Sequence, residues 1–312
     1  MPARRIPYEI GGYSNPAATN QRDYLLVLLQ LLKRMRLDLI VTVAMTVVFL
    51  HLRIPQQWLL STRSVSVLGI AMSIFIGFRN TQAISRWWEA RTLWGTVVNT
   101  SRAWADALRA HLDDEHWQSL RARHLVRLQI ALIWQLNFEL RNFWHPDLRA
   151  MQLRLLDGLE LPRESTVRSL AVERSRQIQH LFKDKWISDL GRFQLAEVSI
   201  AFIDAVGGLE RIRNTPIPPP YDMFVRMINW IFGTQLLIEF NRSGSPATGV
   251  WLFLGFLMAE RIGAYVEGPF DQDGSSFSIP LNTICTVISN DLLPGELDFG
   301  RFQSSRNPVH WD

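Results

Sequence analysis

Few residues in this 312-residue chain are arranged for bond-making chemistry. His111 and His116 flank Asp113, Asp114 and Glu115, a set that by residue type could hold a metal. The two imidazoles stand five positions apart, whereas ligands on one helix are spaced i, i+3 or i, i+4, so a solvated charged turn is the better reading. No nucleophile elbow, P-loop or glycine-rich phosphate loop is present, and no enzymatic activity is expected. The more informative set is apolar. Ile70, Ile74 and Phe78 are spaced i, i+4, i+8 and so share one helix face. Periodicity alone favours a face packed inside a helix bundle. If several copies of the chain surround an axis, the same face forms stacked apolar rings, and a narrow apolar constriction controls passage by dewetting. Ser73 and Gly77 lie on neighbouring positions and permit close helix approach.

These residues need elements to hold them. Apolar segments run over about 37–51, 65–84, 224–240 and 250–265. A lone spanning helix takes about 20 apolar residues. These are short, or interrupted by Asp38, Arg79, Asn229, Glu239, Glu260 and Arg261, as befits helices buried in an oligomer or facing a wet cavity. The stretch between the second and third segments is helical in pattern. Leu125, Leu128, Leu132, Ile133, Leu136 and Leu140 mark one helical stripe over 121–142. Val167, Leu170, Val172 and Ile178 mark another over 163–182, and the more apolar 193–209 is expected to pack inside. Turns are expected at Asp147 after Pro146 and at Asp157 and Gly158. Pro216, Pro218, Pro219 and Pro220 form the sharpest punctuation, a stiff extended linker in which a helix cannot continue.

Composition agrees with a chain that is part bilayer and part cytosol. Mean hydropathy is +0.02, and there are 12 tryptophans, a residue suited to membrane interfaces. A soluble helical protein with a Trp-rich core fits composition equally well. Net charge is +4, carried almost wholly by arginine, with lysine only at Lys33, Lys183 and Lys185. No nucleic-acid-binding signature accompanies this charge, and no nucleic-acid partner is expected. Cys285 is the sole cysteine, which excludes an intrachain disulfide. The first 20 residues are polar with no apolar h-region, so no cleavable leader is expected. The links 52–64 and 241–249 hold only Arg53 and Arg63, and Arg242, respectively. The N-terminal arm carries six Lys and Arg and the stretch after the second segment nineteen, which places both termini and the middle region in the cytoplasm.

The run from Gly77 to Arg102, with Arg86, Trp87 and Trp88 and then Asn99, Thr100, Ser101 and Arg102, resembles the bacterial branch of the bestrophin family. The linker from Arg211 to Tyr221 is similar to the family's segment before its third membrane helix. Val266 to Asp271 is similar to its Asn-Pro-Phe region, with Gly268 where asparagine is usual. The likeness covers about 23–293, with the three motifs in the family's order. It implies an all-α fold, with a four-helix transmembrane region and a helical cytoplasmic domain, assembled as a homopentamer around a central pore. The implied division is an N-terminal cytoplasmic arm (1–36), membrane helices one and two with the pore neck (37–85), the cytoplasmic domain (86–220), membrane helices three and four (221–266) and a cytoplasmic C-terminal segment (267–312).

The resemblance assigns Ile70, Ile74 and Phe78 to the neck and Ile217 to a narrow cytosolic aperture. Eukaryotic members bind calcium through a dense acidic run after Pro-Phe. Here only Asp271 and Asp273 stand in that place, and calcium favours six to eight oxygen ligands. They form at most a weak cation site, so calcium gating is expected to be weak or absent and no cofactor is expected. The function implied is a channel for small ions, anions such as chloride, in a bacterial inner membrane. A monovalent-cation channel of the same fold, and a non-conducting membrane scaffold or sensor, are the alternatives. Absence of flux in liposomes, even with Ile74→Ala, would favour the scaffold.

Overall fold

The computed structural model describes residues 21–52, 54–55, 59–143, 146–271 and 277–294. Among them every regular element is a helix: α1 (Gln21–Arg34), α2 (Arg36–His51), α3 (Thr62–His111), α4 (Asp114–Trp117), α5 (Leu120–Arg141), α6 (Pro146–Gly158), α7 (Val167–Lys183), α8 (Asp189–Asn214), α9 (Pro219–Arg242), α10 (Pro246–Val266) and α11 (Leu281–Leu292). The chain divides into two compact units. One holds residues 20–88 and 215–269; the other holds 89–214 and the described residues from 270 onward.

The first unit contains α1, α2, the N-terminal part of α3, α9 and α10. The four apolar segments picked from sequence lie in α2, α3, α9 and α10. By length and composition alone, α3 and α10 are the two helices among the described residues sufficient to cross a membrane. α2 has 16 residues, and α9 carries Asn229 and Glu239 in its apolar run. Leu37, Ile40, Val43 and Val47 of α2 and Trp251 of α10 are exposed, an apolar surface that water does not favour.

α9 and α10 are joined through Gly244, whose φ of 76° suits a residue without Cβ. They interlock through aromatic rings: Phe232 meets Phe256 edge-on at 4.9 Å, and Trp230 meets Phe253 at 5.3 Å. Gly233 lets the Phe253 ring lie against the α9 backbone, since a Cβ there would come within 1.9 Å of it. Gly233→Ala is therefore expected to overpack this contact. A loss of about 1–3 kcal/mol is expected, read as a lower Tm of the full-length protein in detergent.

α3 is one continuous helix of 50 residues, and the segment 77–95 lies wholly within it. One face is buried along its length: Val65, Met72, Ile76, Arg79, Ala83 and Ala90, then Trp94, Val97, Ser101, Trp104 and Leu108. The spacings of three, four and seven keep these on a single stripe.

The second unit is built around α5, buried on almost every side from Leu125 to Arg141. Trp104, Leu108, Leu125, Ile178, Leu181 and Leu195 form its core. The Trp104 indole donates to the Leu125 carbonyl at 3.2 Å. α11 docks on α5, where Trp134 donates to Ser289 Oγ at 3.0 Å and Asn137 to Asn282 at 2.7 Å. Arg174 of α7 is buried between the rings of Trp104 and Phe202, donates to Gln129 and to the Ser199 carbonyl, and burial pushes its pKa down to about 9.

Four local expectations change. Pro146 and Asp147 begin α6, because proline at N1 gives up an N–H that a helix start cannot use. Only residues 215–218 of the proline linker are outside helix, since Pro219 and Pro220 fill the first turn of α9. Val172 turns outward, and Ala171, Arg174 and Leu181 share the inner face of α7 with Val167, Leu170 and Ile178. α8 is two-sided: Leu195, Phe202 and Leu209 are buried while Leu190, Phe193 and Ile200 are exposed.

Candidate pore-lining residues and the charged network behind them

Ile70, Ile74 and Phe78 project from α3 on the side opposite its buried stripe, with exposures of 65%, 52% and 63%. They are held by the packing behind them. Val65, Met72 and Ile76 lie in a core with Val225, Phe232 and Leu236 of α9, and Phe75 meets Phe224 edge-on at 5.4 Å. The polar residues beside the apolar stripe are internally satisfied. Ser66, Ser73 and Thr81 each donate to the carbonyl four residues back, at 2.9 Å. No charged residue lies between Ser64 and Phe78. Among the described residues, a Cβ at Gly77 would meet nothing within 4 Å.

One residue beyond Phe78 the chemistry reverses. Arg79 is 1% exposed and points into the unit. Its guanidinium donates to the Asp222 carboxylate of α9 and to the Glu260 carbonyl of α10 at 3.1 Å, and lies 3.4 Å from Glu267 Oε2. Glu260 is itself buried, 3.8 Å from Arg226 and 3.5 Å from Arg261. Arg261 forms a two-pronged pair with Asp38 of α2 at 2.7 and 2.6 Å. Asn80 donates to the Ala259 carbonyl at 3.0 Å, close to Gly263, where a Cβ would collide with its amide. Neighbouring ion pairs thus knit α2, α3, α9 and α10 behind the apolar face. In the sequence, Arg79, Glu260 and Arg261 interrupt apolar segments. Charges so placed are costly unless paired, so their presence in apolar segments signals partners. Their partners lie more than 140 positions away in the chain for Arg79, beyond the reach of local pattern.

Ile217 is half-buried in the short segment between α8 and α9, and its main-chain N–H donates to Glu267 Oε1 at 3.1 Å. Asp271 is also half-buried. Asp273 lies outside the described residues. His111 and His116 are separated in role: His111 bonds Gln194, while Asp113 caps α4 by accepting from the His116 N–H and ring. Those bonds hold the Asp113 carboxyl below its usual pKa. No cluster of three or more metal-ligating side chains occurs among the described residues.

Residues 26–294 match the model of the bacterial and fungal bestrophin family. The chain belongs to this family. A voltage-dependent anion channel-forming protein of Ralstonia nicotianae is 28% identical over 295 residues, spanning 90% of this chain and 92% of that one. The corresponding anion channel-forming protein of Escherichia coli K12, YneE, is 28% identical over 240 residues, spanning 73% and 74%. Among solved structures, a point variant of a bacterial bestrophin homologue from Klebsiella pneumoniae superposes with TM-score 0.70 at 28% identity, covering 83% of this chain and 98% of that one. A second crystallised membrane protein, also a point variant, gives 0.71 at 28%, covering 84% and 99%. The all-helical fold is that of a bestrophin, a membrane channel protein and not an enzyme. Exposed apolar faces on α2, α9 and α10 thereby acquire a bilayer or a neighbouring helix as their surroundings.

Proposed function

We propose that this chain is one subunit of a homopentameric channel in the bacterial inner membrane that passes small anions such as chloride. The observation that carries this reading is the exposed stripe of Ile70, Ile74 and Phe78 on a helix whose opposite face is fully packed. Five such stripes around an axis make a neck whose wetting controls conduction. Ile217, on the proline-braced segment, forms the second constriction on the cytosolic side. Five-fold assembly rests on the likeness to bestrophins, and native mass in detergent counts the subunits. Both termini lie in the cytoplasm, in keeping with the arginine-poor links between membrane segments.

The anion assignment draws on the names of the relatives and on the basic middle domain, which concentrates anions. Apolar rings do not themselves encode charge sign. Reversal potential in planar bilayers under a NaCl gradient tests the assignment: it is expected near the chloride potential, and a shift to the sodium potential would replace it with cation conduction.

Calcium is not part of the proposed gating, since Asp271 and Asp273 supply too few oxygens for a tight site. Current is expected to be unchanged when micromolar calcium on the cytosolic side is replaced by EGTA. A loss of current on chelation would restore a calcium requirement.

A further inference from the structure

From Pro216 to Pro220 the chain has one main-chain donor, because four of these five residues are proline. That donor is the N–H of Ile217, and it is bonded to Glu267 Oε1 at 3.1 Å. Glu267 caps the C-terminal end of α10. Its second carboxylate oxygen lies 3.4 Å from the Arg79 guanidinium, beside Phe78 in sequence. Its main-chain carbonyl accepts from Arg86 Nε at 3.1 Å, and Arg86 also donates to the Thr215 carbonyl at the start of the same loop. Side chain and backbone of one residue therefore hold the loop at Ile217 and bind α3 at two places.

Proline fixes φ at the surrounding positions and biases Ile217, which precedes Pro218, toward extended backbone, but it does not lock the Pro216 ψ and Ile217 φ that orient this peptide. A charge-assisted bond to its single N–H removes that freedom, and a carboxylate has the two oxygens needed to take the amide and the arginine together. The side chain is 18% exposed, so water competes poorly for these bonds.

We infer that Glu267 is the positioning residue that sets where Ile217 stands, and that through Arg79 it ties the Ile217 loop to the neck helix next to Phe78. This rests on the reading of Ile217 as the cytosolic aperture. Glu267 touches no permeating ion; it acts on conduction through Ile217.

The test uses the full-length assembled channel as wild type, Glu267→Gln and Glu267→Ala, with assembly checked by size. Gln retains an oxygen able to accept from the Ile217 N–H and drops only the charge facing Arg79. Hydrogen exchange at the Ile217 amide is expected to be slow in wild type, near wild type in Gln, and faster by about fivefold or more in Ala. Unitary conductance is expected to change in Ala and to be largely restored in Gln. In an Ile217→Ala background, Glu267→Ala is expected to add no further change, because both act at one point.

An unprotected Ile217 amide in wild type overturns the inference, and it requires no variant to fold. So does an Ala variant with wild-type protection, or a Gln variant as altered as Ala in exchange. If exchange behaves as expected while Ile217→Ala leaves conductance unchanged, the aperture reading falls and the Glu267–Ile217 link stands.

Discussion

Ile74→Ala is expected to raise ion flux by about tenfold or more. The change removes three carbon groups from each copy, about 2.4 kcal/mol of apolar surface at ~0.8 kcal/mol per CH2. A fall of only ~1.4 kcal/mol in the barrier to a wetted neck is tenfold in rate. The side chain is 52% exposed in the chain and contributes little packing of its own, so folding and assembly should survive. Ile70→Ala and Phe78→Ala should act in the same direction. Met72→Ala is the matching control: Met72 is fully buried on the opposite face of α3. It should cost stability, about 2–5 kcal/mol, with little effect on conductance. Unitary currents in planar bilayers, with Tm measured on the same preparations, separate the two faces. If Met72→Ala moved conductance and the three exposed positions did not, the neck would lie elsewhere.

Arg79→Ala is expected to be the most destabilising single change near the neck. It removes the cation facing Asp222 and Glu267 and the donor to the Glu260 carbonyl, leaving Asp222 to Arg226 at 3.5 Å and Glu267 to the Ile217 N–H. Breaking a buried pair from one side costs about 3–5 kcal/mol, so the variant should assemble poorly or melt far below wild type. The penalty belongs to the carboxylates that lose their shared cation. Arg79→Ala combined with Asp222→Ala should therefore lose less than the sum of the two single changes. Additive losses measured by thermal unfolding in detergent would mean that the two residues act independently.

The helices were legible where local pattern suffices. The apolar stripe from Leu125 to Leu140 gave α5, and Ile70, Ile74 and Phe78 were seen to share a face before their exposure was known. What periodicity left open was whether that face is packed or exposed, because both arrangements have the same spacing. Only the packing of Met72 and Ile76 behind it separates the two. The prolines at Pro219 and Pro220 were read as helix breakers although a first turn accepts them, since the same missing N–H is harmful inside a helix and harmless at its start. The Arg79–Asp222–Glu267 network was out of reach for a different reason. Its members were visible as isolated charges, but a long-range pairing leaves no trace in local spacing. Neither the pentamer nor the permeant ion is written in any one residue type.

The outward face of α8 has a consequence for how this protein exists at all. Leu190, Phe193 and Ile200 stand in water on a single chain, opposite a fully packed side. Under the five-fold reading, such a chain is unfinished until a neighbour covers it. Its folding free energy is then shared among copies and depends on how many are present. Dilution becomes a form of denaturation, and a subunit not yet joined by its copies is the species most exposed to aggregation.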